Sequence, residues 1–127
     1  FEGETGPYLL YTHVRLASLL AKGGFATAHL MAAPTLTQPN AEEFQLAKQL
    51  AEFPKILESA AEDCEPSHLA QYLISLCKAF NRFYHSTRVI DLQNEMETKQ
   101  KLQLVLAVKS VLAKGLDLLG LVPVERM

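Results

Sequence analysis

Pro66-Ser67-His68-Leu69-Ala70-Gln71-Tyr72-Leu73-Ile74-Ser75-Leu76-Cys77-Lys78-Ala79-Phe80-Asn81-Arg82-Phe83 decides the fold. Leu69, Tyr72, Leu73, Leu76, Phe80 and Phe83 recur at helical spacing for about five turns, the pattern of a helix that buries one face. Glu65-Pro66-Ser67 supplies its start, because proline in a first helical turn gives up an N–H that has no partner there. On the opposite face Gln71, Ser75, Lys78, Arg82 and His85 follow the same spacing. Such a stripe needs other apolar stripes to pack on, and the rest of the chain repeats the pattern.

Upstream, Thr5-Gly6-Pro7 opens a helix whose stripe is Leu9, His13, Leu16 and Leu20, with Leu10, Val14 and Ala17 beside it. Gly23-Gly24 stops it by supplying a positive φ at low cost. Residues 24–39 read as a joint, a loop with one helical turn, bracketed towards its end by Pro34 and Pro39. Asn40 with Glu43 three residues on forms a capping box for a helix carrying Phe44, Ala47 and Leu50-Ala51. Phe53-Pro54 breaks or kinks that helix, and Pro54 restarts a further one through Ile56, Leu57, Ala60 and Ala61. Downstream, Ser86 to Gln93 is a second joint. Asn94 with Glu97 has the pattern of another capping box. Leu102, Val105, Leu106, Leu112, Leu116 and Leu119 make the last stripe, ended by Gly120. No segment alternates with period two; Val89-Ile90 is too short to count. The expected fold class is all-α, a helical bundle of about five helices in one domain.

Composition agrees. The chain has 127 residues, 49% hydrophobic and 20% charged, with six glycines and six prolines, which excludes disordered, collagen-like and low-complexity classes. Cys64 and Cys77 make no disulfide framework. No apolar run approaches the ~18 residues of a membrane span, so no membrane partner is expected. The chain opens Phe1-Glu2 without a starting Met or a basic leader, and is expected to be a fragment of something longer. Net charge is −2, too small for a global nucleic-acid field. The distribution is uneven: residues 41–65 hold seven acids and two lysines, net −5, whereas residues 66–90 hold three cations and no acid, net +3. The basic face at Lys78, Arg82 and His85 is either a solvated helix face or a patch that meets phosphates, and Tyr84 beside it suits the second, since stacking plus charge holds RNA loops.

Catalytic patterns are missing. His13, His29, His68 and His85 form no HExxH-like pair, and Cys64 and Cys77 no CxxC. There is no P-loop, GxGxxG or GxSxG. His13, on an apolar stripe, reads as a core or boundary histidine. The residues alone describe a binding or assembly domain with no catalytic or metal site.

Three strings extend this reading. Phe1-Glu2-Gly3-Glu4-Thr5-Gly6-Pro7-Tyr8-Leu9-Leu10-Tyr11-Thr12-His13-Val14-Arg15 resembles the start of the C-terminal domain of arginyl-tRNA synthetases. Leu119-Gly120-Leu121-Val122-Pro123-Val124-Glu125-Arg126-Met127 resembles their C-terminus. Phe80-Asn81-Arg82-Phe83-Tyr84-His85-Ser86-Thr87-Arg88-Val89 is similar to their aromatic-rich helix end. The resemblance implies that residues 1–127 are an all-α anticodon-binding (DALR) domain. Its expected partners are the anticodon loop of arginine tRNA and the catalytic domain of the same parent chain, in a monomeric enzyme. The parent would be an arginine–tRNA ligase using ATP and Mg²⁺. Its HIGH-type and KMSKS-type strings are absent here, so the fragment itself should need no cofactor and be inactive. The expected compartment is cytoplasmic, with a mitochondrial parent as the alternative.

The resemblance also implies site residues. Phe1, Glu2, Gly3, Glu4, Thr5 and Gly6 would form an Ω-like loop against the anticodon loop, with glycines permitting close backbone approach. Tyr11 would pack on an anticodon base, a core tyrosine being the competing reading, and Arg15 would join the RNA-binding set. Arg82, Tyr84, His85 and Arg88 would approach the other side of the loop, and Met127 would lie near the anticodon. Arginine anticodons share a central cytosine, where base reading is to be sought. Two departures stand out: the tryptophan that some relatives carry near Val89 is missing, and Leu10 stands where glutamine is frequent. The rival readings are a standalone helical protein-interaction domain derived from the synthetase family, and an enzyme of unknown chemistry hosted on the bundle.

Overall fold

Helix starts and stops written into the chain set its division. In a computed structural model, residues 5–31, 38–63 and 66–121 are described, and among them all regular structure is α-helical. The helices are α1 (Thr5–Gly23), α2 (Thr27–Leu30), α3 (Ala41–Ala51), α4 (Phe53–Asp63), α5 (Pro66–Ser86) and α6 (Glu95–Leu118). Five are long, and α2 is the single turn expected within the first joint. Gly24 at φ 76° and Gly120 at φ 78° follow the ends of α1 and α6, taking the left-handed conformation that only glycine adopts without strain. The capping box of α3 is present in full: Glu43 N–H donates to Asn40 Oδ1 at 2.8 Å, and Asn40 N–H to Glu43 Oε1 at 3.4 Å.

Two details differ from expectation. The break between α3 and α4 falls at Glu52, one residue before Phe53; Pro54 lacks the N–H that would have continued the ladder across it. At α6 half of the expected capping box forms. Glu97 N–H donates to Asn94 Oδ1 at 3.3 Å, but the Asn94 N–H goes to the Asp91 carbonyl at 3.0 Å, and the Glu97 carboxylate lies 3.8 Å from Lys101 Nζ.

α6, like α5, is a central helix. It packs against α1, α2, α3 and α5, while α5 also packs against α1, α3 and α4. Its burial therefore exceeds one stripe: Leu102, Leu104, Val105, Val108, Leu112 and Leu116 are all enclosed, whereas Leu106 and Leu119 of the expected stripe are partly exposed at the core's margin. α1 runs antiparallel to it, with Gly23 against Leu102 and Gly6 against Leu121. The joint between α5 and α6 is pinned by Thr98, whose hydroxyl accepts from Asp91 N–H at 2.9 Å and donates to the Asp91 carbonyl at 3.0 Å.

α5 and α6 cross at Gly115, where a Cβ would sit 2.5 and 2.7 Å from the two Leu73 methyl carbons. Leu73 is fully enclosed and has no room to withdraw. Gly115→Ala is therefore expected to destabilise despite the roughly 1 kcal/mol that alanine gains in a helix, because overpacking costs typically 1–3 kcal/mol. Urea unfolding should show the loss, and Leu73→Val in the same chain should recover part of it. A stabilised Gly115→Ala chain would mean that the crossing is looser than it looks.

Candidate nucleic-acid interface

The basic face of α5 is bordered by α1 on one side and α3 on the other. On the α1 side Arg15, exposed, lays its guanidinium over the Tyr84 ring, Cζ 4.8 Å from the centroid. That is within the ~6 Å at which a cation is attracted by the ring quadrupole. Arg15 Nη1 donates to Asn81 Oδ1 at 2.6 Å, and Asn81 Nδ2 donates to Tyr8 Oη at 3.1 Å. Tyr84 is supported from below by Phe80, centroids 6.0 Å apart, and meets the His85 ring edge-on at 5.4 Å. Tyr11 stands on α1 one turn before Arg15 and is 60% exposed. The core reading of Tyr11 is thereby excluded; Tyr8 is the tyrosine of the pair that packs on the core.

On the α3 side Arg82, exposed, lies 3.7 Å from Glu42, which is partly exposed. A solvent-facing pair of this kind contributes little stability, but it offsets the Arg82 charge. Gln49 Nε2 donates to Ser75 Oγ at 2.8 Å on the same flank. Asn40, besides capping α3, donates through Nδ2 to Thr87 Oγ1 at 3.0 Å, tying the start of α3 to the end of α5. Arg88 is exposed just beyond α5, beside a cleft it shares with Ile90, Asp91, Leu92 and Gln93.

The structure thus brings Arg15, Tyr84 and His85 into one cluster, with Tyr11 a turn away, and sets Arg82 apart on the α3 flank. Thr5 and Gly6 are a correction: the loop expected over Phe1–Gly6 ends earlier, because both residues belong to the first turn of α1. Pro7 follows within that turn, where an N–H has no helical partner. Phe1, Glu2, Gly3, Glu4 and Met127, and Cys64 with them, lie outside the described residues. Leu10, in the position noted for glutamine, is partly buried against the core.

Sequence reasoning passed over Asn81 as a bridge between helices. The available signal was an asparagine inside a helix, a weak helix former, at the edge of an apolar stripe. A cleft of about 620 Å³ lies elsewhere, between Gly23–His29 and Ile90–Glu95, and carries the carboxylates of Asp91 and Glu95. Its charge is wrong for RNA. Among the described residues no group of three or more His, Cys, Asp or Glu could hold a metal ion, and no helix is long and apolar enough to cross a membrane.

The fold and this face define an all-α domain with an open surface of cations and aromatic rings. The chain belongs to the DALR anticodon binding domain family, whose profile matches residues 9–127. Over its full length it is 39% identical to the arginine–tRNA ligase of Streptococcus thermophilus, of which it spans 22%. The Thermus thermophilus arginyl-tRNA synthetase matches 100% of the chain with TM-score 0.80 and 37% identity, over 22% of that protein. The Plasmodium falciparum arginyl-tRNA synthetase matches 99% with TM-score 0.80 and 27% identity, again over 22% of its length. The chain therefore spans about a fifth of the proteins it resembles, and the matched segment is their C-terminal region.

Proposed function

We propose that this chain binds the anticodon loop of arginine tRNA, as the anticodon-binding domain of a cytoplasmic, monomeric arginine–tRNA ligase. The observation that carries the reading is the Arg15–Tyr84 unit beside exposed Tyr11, on a chain matched end to end by arginine–tRNA ligases. Unstacked loop bases need aromatic surfaces, and the backbone that carries them needs cations. Tyr11 offers the first. Arg15, His85 and Arg88 supply donors for the second, with arginine's planar fork suited to phosphate. In the parent, ATP and Mg²⁺ would drive the joining of arginine to tRNA. The described residues hold no cluster fit for the metal, so no step of that reaction is assigned to them.

Titration of the 127-residue chain with an arginine-tRNA anticodon stem-loop tests the reading, alongside a loop whose central cytosine is replaced by uracil. Binding should weaken as salt rises, and the replaced base should cost about 1–3 kcal/mol. Equal affinity for both loops would reduce the surface to a backbone binder. Absence of binding to either would favour the protein-interaction domain.

A further inference from the structure

Asn81 uses both ends of its amide. Oδ1 accepts from Arg15 and Nδ2 donates to Tyr8 Oη. The neighbours dictate this orientation, since a guanidinium only donates and must face Oδ1, whereas a phenol oxygen can accept from Nδ2. Tyr8 and Arg15 lie seven residues apart on α1, so one amide on α5 grips two points of the same helix face. Tyr8, packed on the core, is the fixed anchor. Arg15 is exposed, and a long exposed side chain would otherwise sample many rotamers.

We propose that Asn81 is a positioning residue that holds the Arg15 guanidinium over the Tyr84 ring and so presents its remaining donors, already aimed, to a phosphate of the bound RNA. One of five guanidinium donors is spent on Asn81, and the ring covers one face. The in-plane edges away from Asn81 are left to grip an anion. The ordering entropy is then met on folding instead of on binding. The inference rests on the anticodon-binding reading above and adds to it the residue that sets the cation.

The test is a double-mutant cycle on the full 127-residue chain with the arginine anticodon stem-loop. Arg15→Gln should weaken binding about tenfold and reduce the slope of log affinity against log salt by about one. Asn81→Ala should weaken binding severalfold in the wild-type background and leave it unchanged in the Arg15→Gln background. Asn81→Asp guards against a folding artefact. Its carboxylate still accepts from Arg15 and from the Tyr8 hydroxyl, so the melting temperature should hold, yet neutralising Arg15 should weaken RNA binding. An Asn81→Ala penalty that persists without Arg15, or wild-type binding by Asn81→Asp, overturns the proposal. The Arg15 side-chain N–H resonances of the free chain read the positioning directly: slow to exchange in the wild type, lost in Asn81→Ala. Resonances indifferent to Asn81 overturn the positioning role whatever the RNA does. The expected resonances with no stem-loop binding overturn the anticodon reading, and with it the ligand assigned here.

Discussion

Phe80→Ala is expected to destabilise the domain by about 3–5 kcal/mol, the range for emptying a fully buried phenylalanine site. Phe80 is wholly enclosed on α5, and α5 is packed against α1, α3, α4 and α6. With four helices held around it, the site has little freedom to collapse into the space. The cost is a large part of the 5–15 kcal/mol by which a domain of this kind is usually stable. The loss should extend to the ligand face. The Phe80 ring lies 6.2 Å from Phe83 and 6.0 Å from Tyr84, and Tyr84 carries the Arg15 cation on its ring. Removing the ring beneath Tyr84 should lower stem-loop affinity even at temperatures where the variant is folded. Phe80→Leu, which refills most of the volume, should cost well under half as much. Urea unfolding with an unchanged slope measures the stability term. A loss under about 1 kcal/mol would place Phe80 among sites that relax freely, outside the rigid centre of the core.

The helices were readable because their signals are local. The α3 capping box, the Gly24 stop and the proline starts each involve residues within one or two turns of one another, and the α5 stripe repeats a spacing of about one turn. The stripe says which side of α5 is buried, and Leu69, Tyr72, Leu73, Leu76, Phe80 and Phe83 are all buried. Periodicity cannot say which helix lies on which border. The Tyr8–Asn81 bond joins residues 73 apart and the Arg15–Asn81 bond residues 66 apart. Nothing in either local pattern specifies those distances. The same gap explains Arg82, which shares the spacing of His85 and Lys78 yet leans to Glu42 because α3 happens to flank that edge. Tyr8 and Tyr11 are a finer case: three residues apart, they read as one pair, and a rotation of a few tens of degrees leaves one on the core and the other in solvent. Site residues drawn from the family strings fared by position as well. Arg15, Tyr84 and His85 meet in one cluster and Arg82 does not, whereas the end of the supposed loop proved to be helix at Thr5 and Gly6.

Raising the pH above 9 is expected to destabilise the domain progressively, with Cys77 the first of two groups to contribute. Its thiol is fully enclosed beside Thr12. Burial pushes its pKa from 9.0 up to about 12, against a smaller opposing hydrogen bond with Thr12. The neutral thiol is the form the fold accommodates, so the unfolded chain releases the proton first. The stability from this source is whole below pH 9 and is lost as pH rises from there towards 12. Each pH unit in that window removes about 1.4 kcal/mol, so roughly 2–3 kcal/mol is gone by pH 11. Tyr72 acts in the same direction above its ordinary 10.0: burial first, then the nearby Glu52 carboxylate, raise its pKa. Its hydroxyl donates to the Gln49 carbonyl at 2.7 Å, a bond the phenolate cannot make. Cys77→Ala isolates the thiol: it should be less stable than wild type at pH 7, through the small cavity, and should lose less of its stability between pH 9 and 11. Equal alkaline slopes would show that the thiol meets water before the fold opens. In a Cys64→Ser background the same enclosure should make Cys77 react with thiol reagents only at the rate of unfolding, and addition of urea should release it.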